Sequence, residues 1–223
     1  MIGLNTFLIL AVGGLIFLII KLKKHKSLYP FMPFRYNFRR RRDTFLRILK
    51  LLDDTKSKII IETGTSREGL KGSKSNGAAT IVFGKWAKLN KAHLYSVDIS
   101  LESIVACEAE VKKQNLMQNI TIHNSDSIEF LKNFKQKVDF LYLDSYDYSS
   151  DKDVQIASQK HHLNEFKAIE NKLHKNSIVM IDDCGLPGGG KGKLVIEYML
   201  QKDWVIDMEK YQVILLNKHF KLE

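Results

Sequence analysis

IIIETGTS, residues 59–66, is the stretch from which the rest of the chain is read. Three consecutive isoleucines run into a carboxylate, Glu62, and then into Gly64. A short unbroken apolar run closed by a turn signal is the pattern of a strand buried on both faces of a parallel sheet. An acid where such a strand ends, followed at once by a residue that lets a ligand approach the main chain, opens a nucleotide-type site.

Outward from this strand, helical and strand patterns alternate. Residues 43–54 (DTFLRILKLLDD) form an amphipathic lead-in helix with an acidic start. Residues 65–77 read as a polar loop, and a helix follows from Ala78 to Leu89. Strands are expected at His93–Asp98, Ile120–His123, Val138–Leu143 and Ser177–Ile181, with helices at Leu101–Asn115, Ser127–Phe134 and His161–His174. Residues 145–160 are polar and read as a surface loop or lid. After a helix at Leu194–Gln201, Trp204–Asp207 and Tyr211–Leu216 read as a closing antiparallel hairpin. The alternation implies an α/β fold with a parallel sheet and right-handed crossovers.

The net charge of +10 over 223 residues suggests an anionic partner until its location is checked. Residues 1–42 hold nine Lys or Arg and no acid, so the remainder is nearly balanced at 26 basic against 25 acidic side chains. Ile2 to Ile20 is apolar apart from Asn5 and Thr6, then stops at Lys21. Nineteen residues at the helical rise just span a hydrocarbon core. No charge precedes the run and KLKKHK comes after it, which is the reverse of a cleaved leader. The positive-inside rule places the chain beyond this run in the cytoplasm, as a single-pass membrane protein. Residues 27–42 (SLYPFMPFRYNFRRRR) mix aromatics and arginines, a composition suited to anionic lipid headgroups. Nucleic acid is the disfavoured partner for this segment, because it adjoins the apolar run. The expected division is an anchor at 1–21, a basic-aromatic segment at 22–42 and one domain at 43–223. Cys107 and Cys184 have no metal-ligand spacing and suggest a reducing compartment.

The strand ends carry Glu62, Asp98, Asp126, Asp144 and the pair Asp182–Asp183. Singly, such an acid is usually a cap or a solvated turn. Six at one sheet mouth would repel one another unless something cationic offsets them. Asp98 ends the second strand, where an acid can hold the two hydroxyls of a ribose. The G-x-G-x-x-G pyrophosphate loop is absent, since Thr-Ser-Arg follows Gly64. That points away from NAD and towards a nucleoside without phosphates, of which S-adenosylmethionine is one.

From Ile59 to Asn217 the chain resembles the class I S-adenosylmethionine-dependent methyltransferases. It is most similar to their small-molecule O-methyltransferase and cephalosporin-hydroxylase-like branches. The resemblance is carried by E-T-G-T at 62–65, V-D at 97–98, S-D-S at 125–127, Y-L-D at 142–144 and I-D-D at 181–183. It implies a Rossmann-like sheet of seven strands, mostly parallel, in the order 3-2-1-4-5-7-6, with helices on both faces. It implies that Glu62, Gly64 and Thr65 lie by the methionine part of the cofactor, that Asp98 binds the ribose, and that Asp126 with Ser127 flanks the adenine.

Asp144, Asp182 and Asp183 could together hold Mg²⁺ or another divalent cation that orients an acceptor hydroxyl and lowers its pKa. The alternative is that Asp182 caps the following loop and Asp183 is solvated; relatives commonly have Asn where this chain has Asp183. Asp144 and His162 are the candidate catalytic residues, His162 as general base, against the alternative of a histidine at the surface start of a helix. Lys191 and Lys193, in a glycine-rich run without Walker spacing, belong to a mobile cover, an anionic-substrate contact or a flexible link. The expectation is a membrane-anchored methyltransferase acting on an oxygen of a small or lipid-linked acceptor. The rival from another class is a membrane-tethered binding or scaffold protein that keeps the fold without the chemistry.

Overall fold

The computed structural model describes residues 2–25 and 36–222. Its centre is a single seven-stranded sheet. In chain order the strands are β1 (Ile59–Thr63), β2 (His93–Asp98), β3 (Ile120–Asn124), β4 (Val138–Leu143), β5 (Leu173–Ile181), β6 (Trp204–Glu209) and β7 (Val213–Asn217). The spatial order is β3-β2-β1-β4-β5-β7-β6, as the resemblance implied. The first five strands run parallel, while β7 is antiparallel to both β5 and β6.

Helices cover both faces. On one lie α2 (Arg42–Asp54), α3 (Ala79–Asn90) and α4 (Leu101–Lys113), packed through Ile48, Phe83 and Val111. On the other lie α5 (Ser127–Asn133), α6 (Lys152–Ile169) and α7 (Lys193–Leu200), packed through Leu131, Phe166 and Met199. Covering on both sides is why β1 and β4 read as continuous apolar runs rather than alternating ones.

The register aligns the strand ends. Thr63 pairs with Val97 and with Leu143, and Leu143 pairs with Ile181. The residues one step beyond this row are Asp98, Gly64, Asp144 and Asp182, so four chain-distant positions meet at one edge. Gly64 has φ +81° and donates its N–H to Val97 O at 2.8 Å. A Cβ there would lie 2.4 Å from Asp144 O, so only glycine lets β1 and β4 close at this level.

Strand β5 starts at Leu173, four residues before the expected Ser177, and two further boundaries that bear on the site also differ from the sequence reading. Helix α6 begins at Lys152, inside the stretch expected to be a lid, with Asp151 capping it by accepting from Asp153 N and Val154 N. Its early turns bury Ser158 and Gln159, which bond to Tyr146 O and to the carbonyls of Gly188 and Gly190. A helix face buried through polar groups leaves no apolar period to read.

The domain also starts before residue 43. Phe38 is buried and stacks edge-on against Phe45, which continues through Phe83 to Phe140 and Tyr142 at centroid distances of 5.0–6.0 Å. Arg41, in a 3-10 turn at Arg39–Arg41, is buried as well. Both fall in the segment read as facing lipid.

Helix α1 (Ile2–His25) has 24 residues, and its side chains are described from 6 to 20, all of them exposed. Among the described residues, no helix is long and apolar enough to cross a membrane. The expected anchor at 1–21 therefore has no full span within them.

Phe38→Ala is expected to lower unfolding stability by about 3 kcal/mol or more, the usual cost of removing a buried aromatic. Urea denaturation of the variant checks it; an unchanged midpoint would return residue 38 to a segment outside the domain.

Candidate active site

A cavity of about 670 Å³ opens at the aligned strand ends, lined among others by Gly64, Asp98, Ser127, Asp144, His161 and Lys191. At one end Asp98 is held from both sides. Its Oδ2 accepts from Thr65 N at 3.0 Å and Thr65 Oγ1 at 3.2 Å, and its Oδ1 from Ser100 N at 2.9 Å. A carboxylate oxygen has two lone pairs, so Oδ1 keeps one for a hydroxyl donor. Asp126 and Ser127 line the same end. Asp126 also caps α5, accepting from Glu129 N at 2.9 Å.

At the other end are Asp144 and Asp183, with Asp182 buried behind them. The cations that offset them come from this chain. Arg41 Nε donates to both oxygens of Asp182, at 3.0 and 2.7 Å, and Arg41 Nη2 to Asp183 at 2.8 Å. Lys191 Nζ lies 2.8 Å from Asp144 and 3.3 Å from Asp183. Both cations are almost wholly buried. Tyr142 donates its hydroxyl to Asp182 at 2.7 Å and accepts from Gln212 at 3.0 Å, and Gln212 Oε1 meets Thr44 Oγ1.

This pairing corrects the expected metal site. The oxygens that would have ligated a divalent cation already face a guanidinium and an ammonium. Among the described residues, no group of three or more His, Cys, Asp or Glu side chains is placed to hold a metal ion. Lys191, which the sequence left as one of two loop lysines, is a member of the site; Lys193 is exposed at the start of α7. Gly190 (φ +56°) delivers Lys191 inward, and a Cβ on it would fall 1.9 Å from Asp183 O. Burial pushes the Asp144 carboxyl up; Lys191 opposes this, and Asp182 and Asp183 add to it, with a net rise. Burial would raise the Asp183 carboxyl, but Lys191, a hydrogen bond from Tyr211 and Arg41 together outweigh it and hold it low.

Two expected residues are displaced. His162 is fully buried, with Nδ1 on Ser158 O at 2.7 Å, and does not line the cavity. Burial takes its pKa down to about 4. His161 faces the cavity instead, with Nε2 3.1 Å from Ser127 Oγ and 3.4 Å from Glu165 Oε1. Burial would lower the His161 pKa, but Glu165 raises it further, so the net shift is upward.

Glu62 is also buried and does not line the cavity. Its Oε2 accepts from Thr80 Oγ1 and Ser96 Oγ, both at 2.7 Å. Thr80 Oγ1 in turn accepts from Ser66 N at 2.9 Å. Glu62 therefore holds the 65–66 loop in place from beneath. Of the residues expected around a nucleoside, Gly64, Thr65, Asp98, Asp126 and Ser127 line the cavity.

The sequence profile of a methyltransferase domain family matches residues 74–184. No curated protein matches the chain. Among solved structures, it is similar to NSun6 from Pyrococcus horikoshii at 12% identity and TM-score 0.59, covering 78% of this chain and 51% of that one. The chain thus spans about half the length of that protein. It is similar to the methyltransferase PaMTH1 from Podospora anserina, solved with SAH bound, at 14% identity and TM-score 0.58, covering 90% and 87%. A candidate caffeoyl-CoA O-methyltransferase from Staphylococcus aureus gives 15% identity and TM-score 0.60, covering 89% and 97%. Residues 74–184 thus carry a methyltransferase domain, and the sheet order around them is that of the class I S-adenosylmethionine-dependent methyltransferase fold.

Burial pushes the Glu62 carboxyl up to about 8, with Ser96 and Thr80 pulling the other way. In the unfolded chain the group titrates near the ordinary 4.5. Between these values the folded protein keeps a proton that the unfolded chain releases. Stability therefore falls as pH rises through this window, by about 1.4 kcal/mol per unit at most, and levels off above it. Glu62→Gln, neutral throughout, is expected to remove this slope. Urea midpoints at pH 5, 6, 7 and 8 check it; parallel slopes for both proteins would show that Glu62 is ionised when folded.

Proposed function

We propose that the cavity is where a small-molecule acceptor is methylated on oxygen. The observation that carries this is its two-ended lining: a ribose-type acceptor, Asp98, at one end, and the Asp144–Lys191 pair at the other. S-adenosylmethionine, when bound, supplies an electrophilic methyl group on a sulfonium.

Asp98 accepts from the ribose hydroxyls through the lone pair left free on Oδ1. Gly64 and Thr65 put backbone against the methionine part, while Asp126 and Ser127 flank the base. Asp144, whose pKa lies above that of a free aspartate, would take up the proton that the acceptor hydroxyl gives up on methylation. Lys191 keeps Asp144 in place and stabilises the oxygen as negative charge develops on it. No step needs a divalent cation, because the acceptor end has its own fixed cations. His161 is a wall residue that orients Ser127.

Calorimetric titration of the full chain with S-adenosylmethionine tests the cofactor end. Saturable binding that Asp98→Ala weakens at least tenfold supports it; unchanged binding removes Asp98 from the site. Asp144→Asn should retain cofactor binding and reduce turnover of a hydroxylated acceptor by roughly a hundredfold or more, the range of a positioned base. Unimpaired turnover would exclude Asp144 as that base.

Residues 1–21 are proposed to anchor the domain on the cytoplasmic side of a membrane, so that a lipid-linked acceptor is within reach. The apolar run that stops at Lys21 supports this. Carbonate extraction of membranes from cells making the full chain is expected to leave it in the pellet. Release into the supernatant would refute the anchor.

A further inference from the structure

A second recess of about 460 Å³ adjoins the cavity and shares Arg41, Ser75 and Tyr211 with it. Its other lining residues are Arg39, Arg40 and Lys74, so its wall is cationic. Arg41 is already committed to Asp182 and Asp183. Arg39, Arg40 and Lys74 are all exposed and make no ion pair with a carboxylate among the described residues.

The three charges are brought together by built features. Arg39 adopts φ +42°, a left-handed conformation that a non-glycine residue rarely takes up. Its N–H donates to Asn37 Oδ1 at 3.0 Å. This turn sends Arg41 into the core while Arg39 and Arg40 remain on the recess wall. Arg41 Nη1 donates to Ser75 O at 2.8 Å, which fixes the end of the 3-10 segment Gly69–Lys74 and with it Lys74. The Arg40 guanidinium lies 4.1 Å from the centroid of the Tyr211 ring, a cation–π contact that holds it over the boundary between the two cavities.

Clustered arginines with a lysine at one wall match a ligand with several anionic oxygens, and phosphate matches them best. Resting on the reading of the cavity given above, we infer that the methyl acceptor carries a phosphate or pyrophosphate group. That group sits on Arg39, Arg40 and Lys74 while the acceptor's hydroxyl reaches Asp144. The same chemistry serves a soluble phosphorylated acceptor and one whose phosphate belongs to a lipid.

The test is titration of the full chain in nanodiscs with inorganic pyrophosphate, for the wild type and for Arg40→Gln/Lys74→Gln, each also titrated with S-adenosylmethionine. Saturable pyrophosphate binding, weakened at least tenfold in the variant with S-adenosylmethionine binding unchanged, is the expected result. S-adenosylmethionine binding without pyrophosphate binding, or equal pyrophosphate affinity in both proteins, overturns this inference and leaves the cavity reading standing. Loss of both ligands in the wild type overturns both. Nanodiscs of phosphatidylcholine alone are compared with nanodiscs containing phosphatidic acid. Competition by phosphatidic acid assigns the phosphate to a lipid headgroup; equal pyrophosphate binding in the two assigns it to a soluble acceptor, and each supports the shared chemistry. A ten-nucleotide single-stranded RNA that binds through the same residues more than tenfold more tightly than pyrophosphate overturns the small-acceptor assignment.

Discussion

The contact between Arg41 and the Asp182–Asp183 pair is the constraint on which the rest depends. Parallel strands of matched register bring Asp144 and Asp182 to one edge, with Asp183 next to them, where three like charges could not coexist uncompensated. The chain meets this with two buried cations from opposite ends of its sequence, Arg41 and Lys191. Removing one partner of such a pair leaves a buried charge unmatched, typically at about 3–5 kcal/mol. The bond from Tyr142 to Asp182 carries the constraint onward through Gln212 to Thr44 on α2. The residues before the first strand are thus part of the site, and cannot be treated as a leader to a domain that begins at 43.

Much of the fold was legible because its signals are local. A parallel strand buried on both faces shows a run of consecutive apolar residues, and β1, β4 and β5 do so at Ile59–Ile61, Phe140–Leu143 and Ile178–Ile181. Acids one step past those strands mark the ligand-binding edge of an open α/β sheet. Asp98 and Asp126 are therefore assigned to one mouth by the sequence, Gly64 by the turn after β1 and Ser127 by the family resemblance, and all four line the cavity.

What stayed illegible depends on direction and on long-range pairing. His161 and His162 are adjacent, and consecutive helix positions point about 100° apart, so the sequence offers a candidate histidine here without showing which of the two would face the site. The first turns of α6 hide their burial in Ser158 and Gln159, whose partners lie 12 to 31 residues away. Arg41 stands among four arginines of identical type. Nothing local separates the one that enters the core from its neighbours; only the carboxylate 141 positions later does. The expected requirement for a cation at the sheet mouth was sound, and the error lay in looking for it outside the chain. Glu62 fell where its strand places it, yet on the inner side of the loop it supports.

Charge accounting explains why Asp144 and Lys191 belong together in the proposed reaction. Methyl transfer converts a sulfonium into a neutral thioether, so the cavity loses a positive charge at sulfur. The acceptor hydroxyl releases a proton at the same time. If that proton left for solvent, three carboxylates would face two cations with nothing to replace the lost sulfonium charge. Taken up by Asp144, it keeps the total charge of the cavity constant and moves the positive charge only from sulfur to the carboxylate. Lys191 alone could not serve, since its carboxylate neighbours, against its burial, raise its pKa and keep it protonated throughout. Asp144 can, because burial and its two acidic neighbours, against Lys191, make it more basic than a free aspartate. A carboxylate poised between a fixed cation and two fixed anions is thus able to accept a proton in a site where charge is costly to change.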